Sequence, residues 1–582
     1  MAIRRGVWIV LVLIILAVAV SAMGLVAMAL MVSREPQVDG NSTLVVKVRG
    51  DLQEIEPVGV IGQLFEAPPT VRGIVDSLRK AKVDKRVTSV VIRPSSTAAL
   101  WGKVQEVRDA IVDFRRSGKP AIGFLEYGGE QEFYLASACD KVFLSPTSTL
   151  DLTGIASYEL FLRGTLDKIG AYPDTLHIGE YKTASNTFTE HTFTPAHREM
   201  AESLNADLYE QLVRGLADGR HKRESEIRQL IDHGPFLPED AIRAGLIDDI
   251  AYEDELDDKV KLSPKGTANF LSDDDYRHTS VTSLGLNRGP RIAVIYATGV
   301  IASGESTYDT AAGSVVGSDT MLEYLRKARA DSSIKAIVLR IDSPGGSAIA
   351  SDVIWREVML TRNVKPVIAS MSDVAASGGY YIAMPATAIV AEPATLTGSI
   401  GVVMLKFVID GTLKKLGMNM EGVRNGRYAD LYSPVKPFTP EERAKVQEQM
   451  QATYDTFVEK AAQGRNTTPE KIDAIGQGRV WTGAQGKKLG LVDDLGGLER
   501  ALAVAKQRAK LSPDAEVELV VYPGKKSFYD LVKDPFGTSE RTMGIGMLLG
   551  IKDARPLQTL TAPLRVFRKG EPLAIMPNVF VR

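Results

Sequence analysis

Ser377 stands in Asp373-Val374-Ala375-Ala376-Ser377-Gly378-Gly379-Tyr380-Tyr381, between small residues and two glycines. The setting suits a nucleophile, because the alanines leave the hydroxyl unobstructed and a glycine directly after it brings a backbone N–H close to a reacting carbonyl. A serine hydroxyl attacks only when a base takes its proton, and the usual base is histidine. The histidines are His177, His191, His197, His221, His233 and His278, and none falls in the second half of the chain with Ser377. A lysine can serve instead if it is neutral when it acts. Its pKa of about 10.4 must then fall by roughly two to three units, through burial or cationic neighbours. Lys182, in Gly179-Glu180-Tyr181-Lys182-Thr183, is compatible with that role, Glu180 being the acid nearest to it in sequence. A second glycine loop, Asp342-Ser343-Pro344-Gly345-Gly346, follows the apolar run Ala336-Ile337-Val338-Leu339. Its N–H groups, with that of Gly378, could stabilise an oxyanion; the same loop also reads as a plain turn closing a strand-to-helix connection.

These residues sit in a chain that alternates strand and helix patterns. Thr43-Leu44-Val45-Val46-Lys47-Val48 reads as a strand, Val71-Ile74-Leu78 as a helix face, Ser89-Val90-Val91-Ile92 as a buried strand, Val104-Val107-Ile111 as a helix, and Ala121-Ile122-Gly123-Phe124 as a strand. Such alternation predicts β-α-β units and a parallel sheet covered by helices. The pattern restarts at Arg291-Ile292-Ala293-Val294-Ile295-Tyr296, and the two halves match. Lys119-Pro120-Ala121-Ile122 recurs as Lys365-Pro366-Val367-Ile368, Gly164 to Gly170 as Gly411 to Gly417, and Ala244 to Asp249 as Leu489 to Asp494, at shifts of 246, 247 and 245 residues. So constant a register marks an internal duplication. The halves differ where chemistry is expected. Arg93-Pro94-Ser95-Ser96-Thr97-Ala98-Ala99 lacks the glycines of residues 340–346, Glu130 stands opposite Ser377, and Ala429 stands opposite Lys182. The nucleophile and its N–H donors belong to the second half, the lysine to the first.

Composition narrows the function classes. With 582 residues, 44% hydrophobic and 24% charged, the chain is long enough for two to four domains and is not a disordered protein. A net charge of -2 gives no electrostatic case for nucleic acid. The single cysteine, Cys139, cannot form an intramolecular disulfide and reads as a small buried apolar side chain. Asp273-Asp274-Asp275 reads as a solvated linker turn rather than a metal site, so no metal and no cofactor are expected. Residues 6–32 carry no charge and are long enough for a transmembrane helix, and Arg4 and Arg5 would keep residues 1–5 in the cytoplasm. A cleaved signal peptide is the competing reading, disfavoured by the length of the run. The expected division is a transmembrane anchor at 6–32, a linker at 33–42, a first domain at 43–271, a linker at 272–290, a second domain at 291–522 and an extension at 523–582. The extension leaves three roles open: packing on a neighbour, touching the membrane surface, or lining a substrate groove.

Asp342-Ser343-Pro344-Gly345-Gly346, Ala375-Ala376-Ser377-Gly378-Gly379-Tyr380 and Thr395-Leu396-Thr397-Gly398-Ser399-Ile400-Gly401, on a duplicated chain behind an apolar N-terminus, resemble the long form of the signal peptide peptidase A (protease IV) family. These are serine-lysine peptidases of the Clp/crotonase superfamily. The resemblance covers nearly the whole chain. It implies an α/β protein, two tandem Clp/crotonase-like domains behind one N-terminal transmembrane helix, in the inner membrane of a bacterium with the domains in the periplasm. It further implies Ser377 as nucleophile, Lys182 as general base, Ser399 as the residue that orients the lysine, and backbone oxyanion donors at Gly346 and Gly378. The implied substrates are signal peptide remnants and other apolar peptides, and the implied assembly is a tetramer-like ring of identical chains resting on the bilayer. Two readings compete with this endopeptidase: a non-catalytic membrane-tethered scaffold, and a crotonase-like acyl-CoA enzyme, which an extracytoplasmic location disfavours.

Overall fold

The computed structural model describes residues 36–55, 69–260, 262, 268–309, 313–524, 570–577 and 580–581, with the isolated positions 16, 20 and 23. The expected anchor at 6–32 therefore lies almost wholly outside the described residues, among which no helix is long and apolar enough to cross a membrane.

Strand Ser42–Gly50 buries Leu44, Val46 and Val48 toward one face and Val45 toward the other. It pairs in parallel with Val87–Thr97 on one side and Asn269–Ser272 on the other. A strand buried on both faces needs apolar residues on both, which is why its sequence alternates so weakly. The first half builds one sheet in the order 249–250, 141–144, 121–125, 87–97, 42–50, 269–272, with each pair parallel.

The second half repeats that order with 494–495, 388–391, 367–376, 334–343, 291–298 and 518–522, and adds the branch 396–398 and 480–482. Thr194 and Thr439 cap the matching long helices Pro195–Arg220 and Pro440–Gly464, each accepting a backbone N–H and each followed by proline. The segment expected as linker at 272–290 is more structured than its polar composition suggests. Ser272 caps a short helix, Asp273–Tyr276, and the Tyr276 ring is buried with its hydroxyl donating to Asp84 at 3.1 Å. Asp273 is correspondingly not a solvated side chain: burial pushes its carboxyl up to about 6. Cys139 is buried as expected, and burial raises its thiol to about 12.

A third sheet, which the sequence does not announce, joins the halves. Its order is 307–309, 313–317, 300–302, 345–347, 573–575, 402–404, 176–178. It takes one strand from the first half and one from the C-terminal extension. The halves are also tied through charge. Arg340, 1% exposed, donates to Glu54 at 2.8 and 3.0 Å, to Glu106 at 2.6 Å and to Ser370 and Ser372 at 3.1 Å. Lys103 reaches Asp342 at 2.8 Å, and Asp373 accepts the backbone N–H groups of Leu100 and Lys103.

Candidate active site

Ser377 ends the long buried strand Val367–Ala376 and caps the helix Gly378–Ala383. Its backbone, at φ 55° and ψ -111°, is a conformation that non-glycine residues rarely adopt. It is held there by Ser377 N–H donating to the Gly398 carbonyl and by Tyr381 N–H donating to the Ser377 carbonyl, both at 2.8 Å. The duplicated element in the first half is the helix Glu130–Ala136, whose first residue is the glutamate aligned with Ser377.

Lys182 arrives from the other half by way of the third sheet. Strand Leu176–Ile178 pairs antiparallel with Val402–Met404, and the chain then turns so that Lys182 points back into the second half. Its side-chain nitrogen stands 2.8 Å from Ser377 Oγ, 2.9 Å from the Ser399 carbonyl and 3.0 Å from Ser399 Oγ. Ser399, at φ 51°, donates its own N–H to the Arg479 carbonyl at 2.7 Å. Lys182 is 1% exposed and Ser377 and Ser399 are fully buried. Burial lowers the Lys182 pKa well below the ordinary lysine value. With three oxygens around it, a neutral amine can donate its two protons to Ser399 and turn its lone pair toward the Ser377 hydroxyl.

The glycine loop falls beside this pair. Gly345–Ser347 forms a short strand, and its neighbours place Gly346 N about where a Cβ on Gly378 would reach, 3.0 Å away. Gly346 N therefore lies close to Gly378, the residue after Ser377, where backbone N–H groups could serve a developing oxyanion. All five site residues expected from sequence, Ser377, Lys182, Ser399, Gly346 and Gly378, meet in one place.

Sequence reasoning missed two supports. Gly478, at φ 79°, lies against the lysine backbone: a Cβ there would stand 2.5 Å from Lys182 N, Cα and Cβ. Its only sequence signal is the pattern Gly476-Gln477-Gly478. The buried charges form the second. Asp342, which opens the glycine loop, accepts the Val374 N–H at 3.1 Å while paired to Lys103. Burial pushes the Asp373 carboxyl up to about 6 in spite of the Lys103 ammonium, Asp342 adding to the rise. A charged residue in an otherwise apolar strand, as at Arg340, is the signal that was available. Among the described residues no group of His, Cys, Asp and Glu could hold a metal ion.

A serine hydroxyl bonded to a desolvated lysine, beside a glycine loop, defines a hydrolase of the serine peptidase class. The comparisons give the particular family. The model of peptidase family S49 matches the chain twice, at residues 113–265 and 360–512, and the chain belongs to that family. Among its relatives, "Serine protease SPPA, chloroplastic" from Arabidopsis thaliana is 36% identical over 82% of this chain and 71% of its own. "Protease 4" from Salmonella typhi is 34% identical over 86% of this chain and 81% of its own. Among solved structures, the K138A mutant of the 1510-N membrane-bound stomatin-specific protease, in complex with a substrate peptide, has 17% identity and a TM-score of 0.26 over 43% of this chain and 97% of that one. The protein is a serine endopeptidase with duplicated S49 domains.

Proposed function

We propose that Ser377 is the nucleophile and Lys182 the general base of this peptidase, that Ser399 orients the lysine, and that the N–H groups of Gly346 and Gly378 stabilise the oxyanion. The observation that carries the reading is the 2.8 Å contact between Lys182 Nζ and Ser377 Oγ, in a site where burial disfavours the ammonium. Lys182 takes the Ser377 proton as Oγ attacks a peptide carbonyl and then passes it to the leaving amine. It next takes a proton from the water that hydrolyses the acyl-enzyme. The units 43–271 and 291–522 act as Clp/crotonase-like domains that share one site. Residues 6–32 anchor the chain in a bacterial inner membrane with both domains in the periplasm. That reading rests on the charge-free run and the arginines before it. The substrates are apolar peptides, signal peptide remnants among them, and the chain works as a ring of identical copies. Ser377→Ala and Lys182→Ala should each abolish hydrolysis of casein and of an apolar peptide ester. Unchanged turnover in either variant would sink the dyad.

A further inference from the structure

We propose that Arg479 and Glu199, one from each half, are positioning residues of this peptidase: together they hold the turn that carries Lys182 in register with Ser399, and so set the reach of the amine to Ser377. The inference rests on Lys182 being the general base. Neither residue bonds to Lys182 Nζ or to Ser377 Oγ, so both act through the backbone between.

The segment Gln477-Gly478-Arg479 supports both turns at once. The Gln477 carbonyl accepts the N–H of Tyr181, one residue before the lysine, at 2.7 Å. The Arg479 carbonyl accepts the Ser399 N–H at 2.7 Å, and the Gly478 N–H donates to the Ile400 carbonyl at 2.7 Å. The segment bends sharply to do this, with Gln477 at φ 51° and Gly478 at φ 79°. A non-glycine residue in the left-handed region persists where its surroundings hold it.

The Arg479 side chain supplies part of that hold. Its guanidinium carbon lies 4.7 Å from the centre of the Tyr181 ring and 4.4 Å from that of Trp481. Its Nη1 donates to Glu199 Oε1 at 2.6 Å, while the Tyr181 hydroxyl donates to Glu199 Oε2 at 2.9 Å. One carboxylate on helix Pro195–Arg220 thus grips, with one oxygen each, the residue whose carbonyl holds Ser399 and the residue next to Lys182. Beside it, Met200 accepts the Val480 N–H on its sulfur at 3.2 Å, which keeps the helix along strand Val480–Thr482. A planar cation that lies on two rings and still pairs with a carboxylate is a task for arginine rather than lysine.

The duplication supports a role tied to the lysine. At the shift of 245 residues set by Thr194 and Thr439, Glu199 is matched by Ala444; at the same shift Arg479 is matched by Gly234. Tyr181 keeps a tyrosine, Tyr428, in the copy where Ala429 replaces Lys182. The ion pair is therefore present once, beside the lysine. Its side chains are 15% and 57% exposed, and a pair so open to water adds little to folding stability. Its loss should be read in turnover.

The test is steady-state hydrolysis of an apolar peptide ester by the full chain, with urea unfolding of each variant. Arg479→Ala should lower kcat about 10–100-fold, the scale of a misplaced catalytic group, with KM and the urea midpoint little changed. Glu199→Ala should lower kcat several-fold. The double variant should be no slower than Arg479→Ala, because the two residues act as one clamp. Full kcat in either folded single variant, a loss carried by KM, or single losses that multiply in the double variant overturns the proposal. Should Arg479→Ala lose its urea midpoint, Glu199→Ala, changed at an exposed position, decides by the same kcat criterion. Lys182→Ala is run beside them, and full turnover there overturns the general-base reading on which the clamp rests.

Discussion

Replacing Lys182 by methionine separates the two consequences of its burial. The side chain is 1% exposed, and desolvation holds its pKa well below the ordinary value. Each unit by which a folded pKa lies beneath the unfolded one costs the fold about 1.4 kcal/mol wherever the unfolded chain carries the charge. The folded protein binds fewer protons at this site than the unfolded chain, so stability rises with pH until the unfolded lysine value of about 10.4 is passed. Methionine is of similar length and has no charge to desolvate. It leaves the Ser399 carbonyl and two hydroxyls without the amine, at about 1 kcal/mol for each group left unpaired. The opposing effects should leave Lys182→Met within about 2 kcal/mol of wild type at neutral pH. Its stability should also depend less on pH across the alkaline range. Catalysis should respond very differently. Loss of a positioned general base slows the chemical step by about 10²–10⁴-fold, or about 3–5 kcal/mol of barrier. The assay is kcat for an apolar peptide ester from mildly acidic to alkaline pH, beside urea unfolding of the same samples. Wild-type rates should climb with pH as the ammonium loses its proton and then level off, and the variant should lose that climb. The reasoning is refuted if Lys182→Met keeps its rate within a few-fold, or if its inactivity is matched by a large loss of stability.

Other outcomes follow from neighbouring contacts. Gly478→Ala, whose Cβ would press to 2.5 Å on the lysine backbone, should lower kcat by displacing Lys182 while leaving KM little changed; steady-state kinetics will show a KM effect instead if Gly478 shapes the cleft. Arg340→Met strands Glu54 and Glu106 in the interior and should cost about 3–5 kcal/mol in a urea melt. Burial acts to raise the Glu54 carboxyl, yet Arg340 brings it down to about 2, so this tie should hold as pH falls through the ordinary carboxylate range and weaken only near pH 2. Cys139, raised to about 12 by burial, should resist alkylation in the native protein and react at the rate of unfolding; prompt labelling without denaturant would contradict its placement.

Much of this protein was determined by local chemistry that a sequence displays directly. Strands buried on both faces must be apolar, helices start at Thr-Pro, and a duplicated order of elements repeats its spacing; the two parallel sheets follow. The divergence of the copies even told which half holds Ser377 and which holds Lys182. Long-range contacts decided the rest, because nothing in a local pattern says which carbonyl lies beneath which side chain. Gly478 matters only because Lys182 lies against it, from nearly three hundred residues away in sequence. The Asp342 carboxylate is anchored by a lysine of the other half, and the third sheet takes one strand from each distant part of the chain. The C-terminal strand shows the limit most clearly: Leu573-Ala574-Ile575 is too short to declare itself, and only backbone pairing places it against Gly345–Ser347.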